Sequence, residues 1–222
     1  MQYPLPLALF VVGICLFIVF YFVSKAFYYR RFVTRYRFYQ MFPYEFNYPN
    51  MFKQNLYGNL LFIMACISII VFYEMNPYKS LYSYLSIAFA IVITMLMVVL
   101  LLFPLKYLRT HMIVSSIGMT ISAALPVINL FTALSQFKLA IDGIDKALCI
   151  ISMSLSLILA LSMIALILNP KLSFNIYYDT TVDENGNEIK KRPRIIFMAL
   201  NEWWSFFLFF LSPLSIVILL FI

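Results

Sequence analysis

Six apolar runs in this chain hold none of its charged side chains, although 16 Lys or Arg and 9 Asp or Glu are present. The runs are Leu5 to Val23, Leu56 to Tyr73, Tyr82 to Phe103, Met112 to Leu134, Ala147 to Leu168 and Trp203 to Ile222. About 20 apolar residues cross a hydrocarbon layer of about 30 Å as a helix. A backbone in lipid must satisfy its own hydrogen bonds, so such runs form helices unless they close into a barrel. A barrel would alternate apolar and polar residues over about 10 positions, and that pattern is absent. The expected fold is an all-α polytopic membrane protein, one membrane domain over 1–222, with six transmembrane helices. Composition agrees: 64% of the 222 residues are hydrophobic and 11% charged, against about 25% charged in soluble domains.

The cations give an orientation. Segments after the first, third and fifth runs carry 6, 2 and 5 Lys or Arg, whereas those after the second and fourth carry only Lys79, Lys138 and Lys146. Basic loops stay in the cytoplasm, so both termini are expected outside it, in a plasma or bacterial inner membrane. The three middle links are short, 8, 8 and 12 residues, which predicts a compact core of spans two to five. Spans one and six join that core through segments 24–55 and 169–202, both expected on the cytoplasmic face.

Segment 24–55 interleaves Arg30, Arg31, Arg35 and Arg37 with Phe27, Tyr28, Tyr29, Phe32, Tyr36, Phe38 and Tyr39. Rings with polar tips favour the headgroup level and arginine favours anionic lipid. The segment is therefore expected to run on from the first helix and lie on the membrane surface. Nucleic acid is not an expected partner.

Segment 169–202 reads as a short β-hairpin between helices five and six. Asn185-Gly186 suits a type I′ turn between FNIYYDTTV and EIKKRPRIIF. The matching register sets Val182 against Ile189, Ile176 against Ile195, Phe174 against Phe197, Asp179 against Arg192 and Tyr177 against Arg194. Lys190, Lys191, Arg192 and Arg194 then form a docking patch for lipid or a partner.

Within the spans, Ser115, Gly118, Ser122, Pro126 and Asn129 fall in an arc of about 80° on a helical wheel. That face serves either close helix packing or a narrow polar path for a solute. Glu202 is expected just before the sixth span with Trp203 and Trp204 as interfacial indoles. His111 is expected as a loop residue exposed to water or lipid, and Lys79 as a partner for Glu74.

The chemistry of most enzyme classes is missing. One histidine cannot build an H-E-x-x-H zinc site, and no P-loop or G-x-G-x-x-G occurs. Cys15, Cys66 and Cys149 lie in three different runs without paired spacing. No catalytic residue, cofactor or metal is expected. The favoured expectation is a non-enzymatic subunit or scaffold of a membrane complex, docking membrane lipid and either a protein partner or further copies of itself. The alternative is a small permease or channel for an uncharged, apolar or lipid-like solute. A lipid-modifying enzyme using His111 or the hairpin acids comes third. Proton coupling is not expected, because no carboxylate lies in a span.

Overall fold

Each apolar run folds as a helix, and most helices extend past the run that seeds them. In the computed structural model they are α1 (Pro4–Phe32), α2 (Leu56–Glu74), α3 (Leu81–Leu102), α4 (Leu108–Leu139) and α5 (Gly143–Ile167). The sixth run divides into α6 (Phe197–Leu211) and α7 (Pro213–Leu219). Residues 3–32, 35–47, 51–102, 108–172, 179–182 and 188–222 are described, with backbone only at 108–109, 179–182 and 189–191. All six are long and apolar enough to cross a membrane, which makes the chain a multi-pass integral membrane protein.

The centre of the bundle differs from the expected four-helix core. In the segment Phe197–Leu219, 72% of the apolar window is buried, against 28–44% in the other five. The α6–α7 rod is therefore the axis, with α1, α3, α4 and α5 packed on it. Phe206 of this rod stacks on Phe62 of α2, and Phe210 stacks on Phe17 of α1 at 4.1 Å. Rings dominate α6, with Trp203, Phe206, Phe209 and Phe210 all buried, and a helix so rich in apolar surface is enclosed by its neighbours. Pro213 opens α7 after Ser212, where its missing N–H costs nothing.

Helices α1 and α2 make the closest long pairing. A Cβ on Gly58 would overlap the Ser24 hydroxyl and the Asn55 side chain, and one on Gly13 would meet Ile69 Cδ1 at 2.8 Å. Glycine at these two positions is what lets the backbones approach.

The aromatic segment folds back into the bundle. The first helix stops at Phe32, and residues 35–47 turn inward through a 3-10 helix at Pro43–Phe46. Tyr36, Phe42, Tyr44, Glu45 and Phe46 are all buried. Tyr36 stacks on Phe46 at 4.1 Å, and the Trp203 indole N–H donates to the Tyr36 hydroxyl at 3.1 Å and to the Met41 carbonyl at 3.0 Å. Tyr36 in turn donates to the Phe42 carbonyl at 2.7 Å. Burial, with the Glu45 charge adding to it, pushes the Tyr36 phenol well above its ordinary range, so it stays a neutral donor. Trp203 is thus a fully buried anchor and not an interfacial ring.

The expected β-hairpin is not supported as drawn. A ladder of four residues a side, β1 (Asp179–Val182) with β2 (Glu188–Lys191), pairs Asp179 with Lys191 and Val182 with Glu188. That register is one residue from the expected one. The physical reason lies outside the ladder. Arg192 does not face Asp179; its guanidinium donates to Glu45 Oε1 at 2.8 Å and to the Gln40 carbonyl at 3.1 Å. The Glu45 carboxylate, 8% exposed, thus takes up the cation that the expected register assigned to Asp179. Phe197 begins α6 and cannot oppose Phe174. The turn Asn185-Gly186 and the residues 173–178 lie outside the described residues.

Candidate functional site

The bundle contains a charge that hydropathy places outside it. Glu202 is the sixth residue of α6, and His111 the fourth of α4. Both side chains have zero exposure, and His111 Nε2 lies 2.7 Å from Glu202 Oε1. The His111 ring is also walled edge-on by Phe42 at 5.9 Å and Tyr44 at 5.5 Å. The expectation of a loop histidine is therefore corrected, as is that of a helix-terminal Glu202. The physical cause is mutual: each polar group is affordable inside the bundle only because the other satisfies it.

The pair leaves something over. Among the described residues, Glu202 Oε2 has no well-formed hydrogen bond, and neither do the hydroxyls of Ser115, Ser122 and Ser156 or the Asn201 side-chain amide oxygen. All of these residues are on helices α4, α5 and α6, and Asn201 is the neighbour of Glu202 itself. Ser115 stands one turn beyond His111 on α4, near enough to the Glu202 carboxylate to act on it. Buried hydroxyls without partners are the usual seats of internal water.

The helical wheel for α4 was sound. Ser115, Gly118, Ser122, Pro126 and Asn129 all lie on its buried face. Asn129 ends this face in a closed knot. Its amide nitrogen lies 3.0 Å from the Tyr73 hydroxyl, the Ser212 carbonyl and the Ser212 hydroxyl, while its oxygen accepts from Ser86 at 3.1 Å. Beyond it, Ser152 donates to the Ser215 carbonyl at 2.7 Å. A seam of polar groups thus follows α4 from His111 to Asn129, about 27 Å at 1.5 Å per residue.

The basic candidates separate. Arg30, Arg35, Arg37 and Arg194 are exposed. Arg31 is exposed and reaches Gln54 at 3.5 Å. Arg192 is half-buried and engaged with Glu45, so it is part of the internal frame. Lys190 and Lys191 lie on β2, and their side chains are outside the described ones. Gln40 donates to the Pro193 carbonyl at 3.1 Å and Ile196 N–H to the Tyr39 carbonyl at 2.8 Å. These bonds lock the two basic segments together above the His111–Glu202 pair. Lys79 does pair with Glu74, at 3.8 Å.

Sequence reasoning missed the pair because a hydropathy window ends a span at its first charge. One signal was available: Met198, Ala199 and Leu200 are helix formers that carry the apolar pattern backward through Glu202. The matching histidine is 91 residues away, and no local pattern links them. No protein-family model, curated protein or solved structure matches the chain.

Proposed function

We propose that this membrane protein carries protons along the α4 seam, with His111–Glu202 as the site that takes up and releases them. The observation that carries the reading is the Glu202 carboxylate, wholly buried at 2.7 Å from His111, with no well-formed bond to its second oxygen among the described residues and the Ser115 hydroxyl close by. An ionisable group inside a membrane bundle is costly and marks a proton relay or ion path by default. A carboxylate with one oxygen held and one open can accept a proton without losing its anchor. The hydroxyls of Ser115 and Ser122 each accept one proton and donate another, as relay groups must.

The competing readings rest on less. The expectation against proton coupling stood on the absence of a carboxylate within a span, and Glu202 removes that premise. A bulky solute would need an open lumen, yet the seam is walled by Met119 and Leu125, both buried. The subunit reading relied on a basic patch of which Arg192 is engaged internally.

Purified protein in vesicles holding a pH-sensitive dye, with a potassium diffusion potential set by valinomycin, tests the proposal. Wild-type vesicles should change internal pH at least several-fold faster than empty ones, and Glu202→Gln should return the rate to that of empty vesicles. Equal rates for wild-type and empty vesicles, or for Glu202→Gln and wild type, would refute it.

A further inference from the structure

A second feature lies on the opposite flank of α1 and is independent of the seam. Near the basic end, a cleft of about 480 Å³ is lined by Phe22, Lys25, Ala26, Tyr29, Arg35 and Tyr36. Directly along the same helix, an apolar groove of about 220 Å³ runs between Phe17, Ile18, Tyr21, Phe22, Phe38 and Phe207. Phe22 lines both, so the two adjoin, a polar head next to an apolar tail. Among the described residues no carboxylate lines either part. Lys25 rests with its ammonium 5.7 Å from the Tyr21 ring centroid, at the junction of head and tail.

We infer that cleft and groove together form a binding site for one anionic phospholipid, its phosphate between Lys25 and Arg35 and an acyl chain along Phe17, Ile18 and Phe207. Two cations converging without an internal acid need an outside anion. An apolar trough that opens sideways from a membrane helix, directly beneath them, suits a chain that arrives from the bilayer and not from water. Arg35 is presented by the segment that Trp203 anchors, so the headgroup cleft exists only because the aromatic segment folds back.

The test is native mass spectrometry of delipidated protein titrated with dioleoylphosphatidylglycerol and, separately, dioleoylphosphatidylcholine. Phosphatidylglycerol should bind about 30-fold more tightly, as expected for two cations near an anionic headgroup. Lys25→Gln with Arg35→Gln should erase that preference, whereas Lys25→Arg with Arg35→Lys should keep it. Ile18→Trp, which fills the trough from a lipid-facing position, should weaken both lipids. Equal affinity for the two lipids in the wild type, or an undiminished preference in the double Gln variant, would overturn the assignment. So would complete displacement of phosphatidylglycerol by 10 mM inorganic phosphate (~10 mM, of the order at which simple ion pairing competes) together with no effect of Ile18→Trp, since the site would then hold soluble phosphate.

Discussion

Two polar clusters lie on one face of α4, and they are built on opposite terms. Around Asn129, donors and acceptors close on one another: Ser86, Tyr73 and Ser212 bring α3, α2 and the α6–α7 joint to a single amide. Around Glu202 the network stays open: among the described residues one carboxylate oxygen and the Ser115 hydroxyl beside it make no well-formed hydrogen bond, and Ser122, further along α4, makes none either. A closed network fixes helix positions. An open one is a standing cost, and proteins retain such costs where a group has to change its bonding. Equal burial therefore hides different roles, cement at Asn129 and chemistry at Glu202.

The sharpest way to break that contrast is at the ion pair. His111→Leu should destabilise the protein by about 3–5 kcal/mol, because it strands a buried carboxylate. His111→Leu with Glu202→Met should restore most of the loss while leaving no proton flux. Thermal unfolding in detergent, followed by vesicle assays, reads both; a double variant no more stable than the single one would deny that the two groups depend on each other.

Asn129→Leu comes next. It orphans three partners, and membrane hydrogen bonds average about 0.6 kcal/mol with maxima near 1.7, so a loss of about 2 kcal/mol is expected. Ser122→Ala and Ser115→Ala should be neutral or slightly stabilising, since each removes an unsatisfied hydroxyl, yet both should slow proton movement. Should Ser122→Ala unfold the protein as readily as Asn129→Leu, the open and closed clusters would not differ in kind.

A smaller effect is expected at the frame above the pair. Arg192→Gln removes one partner of the buried Glu45 carboxylate, which keeps the Phe42 N–H at 3.0 Å. A double-mutant cycle with Glu45→Gln should give a coupling of about 1–2 kcal/mol. Smallest of all is Lys79→Ala, where an exposed pair contributes less than about 0.5 kcal/mol; its unfolding curve should overlay the wild type.

The membrane helices were legible because their signal is local and large. Lipid imposes about 20 apolar residues at a time, and the five observed starts from α1 to α5 fall within four residues of the apolar runs. The α4 face was legible for a similar reason, as Ser115 to Asn129 share one helix and one period. The His111–Glu202 pair was not, because it joins two helices through a long-range contact and each member alone reads as a reason to end a span. The aromatic segment misled in the same way. Rings and arginines indicate an interface by composition, whereas Tyr36, Phe46 and Trp203 form a core whose existence depends on where α6 stands. The ladder register failed because Arg192 had a better partner in Glu45, out of reach of any strand-pairing rule.

The bonds between Gln40 and Pro193, Tyr39 and Ile196, and Glu45 and Arg192 have a consequence for biogenesis. They tie residues near the first helix to residues just before the last, 147 or more positions apart. A ribosome adds residues at about 5–20 per second, so the early segment waits roughly 7–30 s before its partners emerge. Through that interval Tyr36, Phe42 and Phe46 have no Trp203 to close on. The nascent chain is then an unfinished bundle with its aromatic lid open, and arrival of α6 is the step that shuts it. A chain released before α6 would keep every earlier span and still present that open lid to the quality-control machinery of the membrane.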